Sequence, residues 1–284
     1  KQIMNVDQAF KHWNDMLTSL GDSYSTQERF LRHYYNAFKP ELPDVPNASV
    51  ATKSNLIRVY EKLLEQNLKK VVDALVELAG TRDPVHVGLT GGSMGVAVAA
   101  EIGRRWGAGE ADFSGVHWWF SDERHLPAGD AERNAVQVRD AMGAVPLADA
   151  RFHVVAAPAL DEEPDRLGAE DAAADYAEQM QVIAQRDGLP VLDVVMLGVG
   201  PDAHVASLFP GHPDSAATGV WTTAVDDSPK PPPLRVSFTM EVIRSADQVW
   251  LVASGESKAE ALAAAAEVYP EHVDAAVEDL EGEP

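Results

Sequence analysis

The stretch Leu192-Asp193-Val194-Val195-Met196-Leu197-Gly198-Val199-Gly200-Pro201-Asp202-Ala203-His204-Val205-Ala206-Ser207-Leu208-Phe209-Pro210 decides the architecture. Its apolar run Val194 to Leu197 suits a buried central strand, and Gly198, Gly200 and Pro201 break that strand where open α/β sheets place their ligands. His204 therefore stands at the mouth of a strand, where an imidazole exchanges protons near neutral pH. The pattern Gly198-x-Gly200-x-x-Ala203 formally matches a dinucleotide fingerprint. It fails on physical grounds. Asp202 would face a pyrophosphate, and Pro210-Gly211 limits the following helix to about two turns, too short for that crossover.

On either side of this stretch, from Leu56 onward, strand and helix signals alternate. Strands are predicted at Leu56 to Tyr60, Val85 to Thr90, Val116 to Phe120, Phe152 to Ala156, Val191 to Leu197, Val220 to Val225, Leu234 to Phe238 and Gln248 to Ala253. Helices are predicted at Leu63 to Leu78, Val96 to Trp106, Arg133 to Met142, Asp165 to Arg186 and Ser257 to Ala266. The expected fold class is α/β: a doubly wound, mainly parallel, Rossmann-like sheet with helices on both faces. Ahead of it, Phe10, Trp13, Met16, Leu17 and Leu20, then Phe30, Leu31, Tyr34 and Phe38, recur at helical spacing. Pro40, Pro43 and Pro46 then open a linker. The expected organisation is an N-terminal helical extension and linker over residues 1–54, followed by an α/β domain over 55–284. The tract Pro229-Lys230-Pro231-Pro232-Pro233 reads as a stiff surface turn feeding the strand at Leu234.

The chain has 284 residues, 45% of them apolar, with 45 acidic and 23 basic residues and a formal charge of -22. Such a charge argues against nucleic acid or an anionic membrane as partner, so an anionic substrate must be drawn by a local basic cluster. The sequence has no cysteine. That removes disulfide and thiolate chemistry and fits a cytoplasmic protein. No secretory signal opens the chain, and no apolar run approaches the roughly 18 residues of a membrane span.

Three further segments carry chemistry. In Val85-His86-Val87-Gly88-Leu89-Thr90-Gly91-Gly92-Ser93-Met94-Gly95 a strand runs through glycines into a helix, and the exposed backbone amides of such a turn suit a phosphate. Ser93 adds a hydroxyl, although the pattern is neither a P-loop nor a dinucleotide fingerprint. In Trp118-Trp119-Phe120-Ser121-Asp122-Glu123-Arg124-His125, with Asn134 beyond, an aromatic strand meets acid, base and guanidinium at its carboxyl end. In Val249-Trp250-Leu251-Val252-Ala253-Ser254-Gly255-Glu256-Ser257-Lys258 a lysine falls in the first turn of a predicted helix. A cation there opposes the helix dipole unless an anion compensates it. Arg235 offers a second cation, its ordinary alternative being a surface arginine. The other eight histidines read as structural or surface residues. Neither a metal-ligand spacing nor a Gly-x-Ser-x-Gly nucleophile turn is present, so neither a metal nor a cofactor is expected.

Taken in order, Leu89-Thr90-Gly91-Gly92-Ser93, Ser121-Asp122-Glu123-Arg124 with Asn134, the His204 segment and Ser254-Gly255-Glu256-Ser257-Lys258 resemble the 6-phosphogluconolactonase family. The family belongs to a wider group that includes glucosamine-6-phosphate deaminase, and the resemblance spans about residues 55 to 266. It implies a metal-free, cytoplasmic enzyme of the oxidative pentose phosphate pathway that hydrolyses 6-phospho-D-glucono-1,5-lactone. It further implies that His204 is the general base activating water, that Arg124 steadies the oxyanion, and that Asp122 completes the catalytic set. Gly91, Gly92, Ser93 and Lys258 match phosphate-holding positions, and Arg235 matches a further basic one. The chain departs from the family in three places. Ala203 stands where glycine is usual, which is tolerable only if its φ stays below zero. The N-terminal extension lies outside the family pattern, and the usual C-terminal strand with its Trp and Asp is missing from the sequence, which ends in the acidic stretch Glu278 to Pro284. Two alternatives are a glucosamine-6-phosphate deaminase, with Asp122 moving the substrate proton and His204 opening the ring, and a sugar-phosphate-binding regulator without turnover.

Overall fold

The computed structural model describes residues 68–159, 164–200 and 202–252. The extension over 1–54, the strand expected at Leu56 to Tyr60 and the helix expected at Ser257 to Ala266 lie outside them.

Along the chain come a helical run over 68–79 (α1), strand β1 (Val85–Leu89), helix α2 (Gly92–Gly107) and strands β2 (Val116–Phe120) and β3 (Asp122–Arg124). Helices α3 (Asn134–Met142) and α4 (Arg166–Gln179) follow, then the short pair β4 (Gln185–Arg186) and β5 (Leu189–Pro190). The described chain closes with β6 (Val194–Leu197), β7 (Thr222–Val225), β8 (Arg235–Phe238), α5 (Met240–Ser245) and β9 (Val249–Leu251).

Strands β2, β1, β6 and β9 lie side by side in that order, all parallel, with Leu89 opposite Phe120 and Val87 opposite Val194. The two-residue period of a strand explains why β6 is apolar throughout. Val194 and Met196 enter one core with Val98 and Ile102 of α2, whereas Val195 and Leu197 enter the opposite core with Tyr176 of α4 and Val242 of α5. Both faces of the sheet are therefore covered by helices.

A second sheet, of order β3, β8, β7, is antiparallel and was not foreseen from the sequence. It arises because the strand at Val116 does not stop in a charged loop. Ser121 interrupts it for one residue, donating its N–H to the Leu89 carbonyl of the first sheet (2.8 Å) and accepting the Phe238 N–H of the second (2.8 Å). Asp122, Glu123 and Arg124 thus lie on a strand, opposite Ser237, Val236 and Arg235.

Two expected elements differ. The helix expected over Asp165 to Arg186 ends at Gln179, and a tight hairpin turns at Asp187 (φ 54°) and Gly188 (φ 81°). Asp-Gly is a favoured pair for such a turn, so the signal was present in the sequence. The strand expected at Phe152 to Ala156 reduces to one bridge, Phe152 to Trp118. Its carbonyls bond side chains instead: Tyr176 Oη donates to His153 (3.3 Å), Gln179 Nε2 to Val154 (3.4 Å) and Arg133 Nη2 to Val155 (2.6 Å).

Candidate active site

The carboxyl ends of β1 and β6 are tied together where the Gly198 N–H donates to Thr90 Oγ1 at 3.1 Å. Beyond Thr90, Gly91 caps α2 without a side-chain hydrogen bond, and Gly92 (φ 74°) faces open space. Helix α2 therefore begins at Gly92, four residues earlier than expected. This leaves the first amides, with Ser93 among them, at the positive end of a 16-residue helix. No Cβ is tolerated at Gly91, because the Asn134 side-chain amide fills that space.

From Asn134 a chain of contacts crosses the site. Its Nδ2 donates to the Asp122 carbonyl (2.9 Å), and the Asp122 carboxylate accepts the Ser207 hydroxyl (2.7 Å). Arg235 Nη1 lies 3.5 Å from Ser207 Oγ and 3.9 Å from Asp122 Oδ2. The guanidinium is buried, not on the surface, and its Nε and Nη2 donate to the carbonyls of Pro232 (3.2 Å), Lys230 (3.1 Å) and Pro231 (3.2 Å). Lys230 Nζ in turn stands 3.4 Å from Asp202 Oδ1 and 3.3 Å from His204 Nδ1. The structure thus joins Gly91, Asp122, Arg235 and His204 in one network; Lys258 lies outside the described residues.

The three charges of β3 divide by strand alternation. Glu123 points into the core, where its carboxylate accepts the backbone N–H groups of Arg124 (2.8 Å), Asn134 (2.7 Å) and Ala135 (2.9 Å) and so caps α3. Burial nevertheless pushes its carboxyl above the usual range, against the pull of Arg133. Asp122 and Arg124 share the other face. Arg124 Nη1 donates to the Glu132 carbonyl (2.5 Å), while its buried Nε has no hydrogen-bond partner among the described residues. Arg124 and Arg235 are directly opposite across β3 and β8, a like-charge pairing that a bound anion would relieve. His125 turns away to line a separate cavity of about 290 Å³ with Asp165, Asp171 and Asp175, which shares no residue with the network above.

His204 sits in a compact turn held by bridges of Val205 to Val199 and to Leu208. Among the described residues no helix follows Gly200 within this turn, so the dinucleotide reading finds no helix terminus there. The His204 Nδ1 to Asp202 Oδ1 distance is 2.5 Å, and the ring packs on Phe209 with centroids 4.6 Å apart. Burial would raise the Asp202 carboxyl, but the His204 hydrogen bond and Lys230 hold it below its ordinary value. An ionised Asp202 only accepts, so Nδ1 carries the proton and Nε2 is left with a free lone pair. Burial, aided by Lys230 and opposed by Asp202, holds the imidazole itself below its ordinary value. Ala203, expected to keep φ below zero, has φ 63°. The turn overrides the preference of the methyl, because the Ala203 N–H closes onto the Gly200 carbonyl (3.0 Å) and the Gly200 N–H onto that of His204 (2.9 Å).

Two contributors escaped the sequence reading. Asp202 carried the signal of a carboxylate two residues before a histidine. Lys230 carried a fainter one, a lone lysine inside a proline tract read only as a turn. Elsewhere, His117 Nδ1 and His153 Nε2 lie 2.9 Å apart, Trp119 stacks on His153, and Trp119 Nε1 donates to His86 Nδ1 (3.1 Å). These three histidines surround Trp119, on the face of the sheet where Trp119 and Val195 enter the core. Among the described residues no group of three or more His, Asp or Glu side chains is placed to hold a metal ion, and no helix is long and apolar enough to cross a membrane.

A sequence model of the family described as glucosamine-6-phosphate isomerases/6-phosphogluconolactonase matches residues 59–279. The chain belongs to this family. A protein of Streptomyces coelicolor named 6-phosphogluconolactonase is 40% identical over 212 residues, 73% of this chain and 80% of its own length. One of Rattus norvegicus bearing the same name is 38% identical over 187 residues, covering 65% of this chain and 70% of that one. The solved 6-phosphogluconolactonase structure from Trypanosoma brucei shares the fold, with a TM-score of 0.62 at 24% identity over 71% of this chain and 81% of that one.

Proposed function

We propose that this chain is a 6-phosphogluconolactonase, hydrolysing 6-phospho-D-glucono-1,5-lactone to 6-phospho-D-gluconate in the oxidative pentose phosphate pathway, with His204 as general base. The relatives that share its family carry this name and span most of its length. The observation that supports the base assignment is the contact of Asp202 with His204 Nδ1 at the mouth of β6, from which the proton is assigned to Nδ1 and the lone pair to Nε2.

In this reading His204 Nε2 takes a proton from water as the oxygen adds to the lactone carbonyl carbon. The carbonyl electrons move onto its oxygen, where the unpartnered Nε of Arg124 donates a hydrogen bond. The intermediate collapses with cleavage of the bond to the ring oxygen, and the imidazolium returns its proton to that oxygen. Asp122, fixed by Ser207 and Asn134, orients the reacting end of the sugar. A positioned base contributes about 10²- to 10⁴-fold, and an oxyanion donor about 10²- to 10³-fold. The phosphate rests on the amides of Gly91, Gly92 and Ser93, with Lys258 as its cation. Arg235, also expected at the phosphate, we assign to framing the site, because its Nε and Nη2 donors face carbonyls of its own chain. The cysteine-free sequence supports a cytoplasmic location.

Lactone loss followed together with acid release tests the activity. Ammonia release from glucosamine 6-phosphate, without lactone hydrolysis above background, would instead identify the deaminase; ligand-induced stabilisation with neither reaction would identify a non-catalytic sugar-phosphate binder.

A further inference from the structure

The tract Ser228-Pro229-Lys230-Pro231-Pro232-Pro233 crosses the site as a clamped strap. Ser228 Oγ donates to the Lys230 carbonyl (3.1 Å) and accepts the Lys230 N–H (3.3 Å), and the Ser228 N–H closes onto the Pro233 carbonyl (3.0 Å). From below, Arg235 bonds the carbonyls of three successive residues, Lys230, Pro231 and Pro232. A loop needs no such fixing merely to turn a chain. Here the fixing delivers one side chain, Lys230, whose ammonium ends within 3.4 Å of Asp202 Oδ1 and 3.3 Å of His204 Nδ1.

We infer that Lys230 is a positioning residue: its ammonium, held over the site by the strap that Arg235 clamps, anchors Asp202 on the Nδ1 side of His204 and keeps Nε2 unprotonated between turnovers. Among the described residues the charged groups facing the ring are Asp202, Lys230 and Asp122, and Phe209 covers it. The two carboxylates favour imidazolium and Lys230 is the cation that opposes them. Burial is the larger influence holding the ring neutral; Asp202 alone would align the ring but work against that burial by drawing a second proton toward it. With the ammonium sharing Asp202, alignment is retained without that cost. The inference rests on the reading of His204 as base.

The test is an NMR titration of the His204 imidazole in the full chain without substrate, with His204→Gln assigning its resonance, for wild type, Lys230→Met, Lys230→Gln and Lys230→Arg. A cation 3–4 Å away in a half-exposed setting is worth about one pH unit. The midpoint should therefore rise by about one unit in Lys230→Met and Lys230→Gln and return toward wild type in Lys230→Arg. The acid limb of kcat/KM should move with it. An unshifted midpoint in both neutral variants, or a shift that Arg does not reverse, overturns the inference. Because the titration needs no turnover, absence of lactone hydrolysis by the wild type would overturn the proposed activity while leaving this coupling separately readable.

Discussion

Gly200 and the His204 imidazole share a boundary so tight that a β-carbon on the glycine would occupy the ring's place. The turn that carries the imidazole thus requires a residue without a side chain three positions beyond Leu197, the last residue of the buried strand. Gly200→Ala should displace the imidazole while leaving the strand core intact. We expect kcat to fall by about 10²-fold, the scale on which a misplacement of one ångström acts. The urea midpoint should change far less. Kinetics beside denaturant unfolding check this, and unchanged kcat would show that the ring does not depend on that space.

His204→Ala should lower kcat by about 10²- to 10⁴-fold while affinity for 6-phosphogluconate stays near wild type. Arg124→Ala should lower kcat by about 10²- to 10³-fold, with a smaller change in KM. The Michaelis parameters and calorimetric binding of product separate the two effects. Full turnover by His204→Ala would remove the assigned base.

Ala203→Gly should stabilise the fold by about 1 kcal/mol. A methyl in the left-handed region at φ 63° costs about 1–2 kcal/mol, part of which the greater freedom of glycine in the unfolded chain offsets. The readout is the denaturant midpoint at constant m. A loss of stability would mean that the methyl gains more in packing than it loses in backbone conformation.

Acid should weaken the fold through two buried histidines. Burial, with the neighbouring histidines and arginines, holds His86 to about 4, and burial with His117 holds His153 to about 4. Both are thus neutral in the native state where the unfolded chain already binds protons. Their stabilisation is fully present above about pH 6.5 and is lost as pH falls from there toward 4, each group contributing up to about 1.4 kcal/mol per pH unit. Urea midpoints at pH 7.5, 5.5 and 4.5, followed by tryptophan fluorescence, should fall in that order, and His86→Phe with His153→Gln should flatten the trend.

The parallel core was legible because its signal is local. Four consecutive apolar residues at Val194 to Leu197, followed by Gly198 and Gly200, allow little besides a strand covered on both faces. The second sheet was not, because Asp122-Glu123-Arg124 has the composition of a loop and becomes a strand only through pairing with a segment more than 100 residues away. Likewise His204 announced itself by position, and Asp202 by spacing, but Lys230 reaches them only through the burial of Arg235 beneath the proline tract. Contacts made by a side chain at long sequence separation leave no periodicity to read. Ala203 is the converse case: its residue type argued for an ordinary backbone, and the hydrogen bonds of the turn prevailed.

Ser121 bonds one sheet through its N–H and the other through its carbonyl, so a single peptide run sews the two sheets together. Hinged opening would have to break β-pairing on one side. The proposed site should accordingly be preformed, taking its ligand with little backbone rearrangement, and on heating the protein should lose activity in the same cooperative step that melts the whole domain.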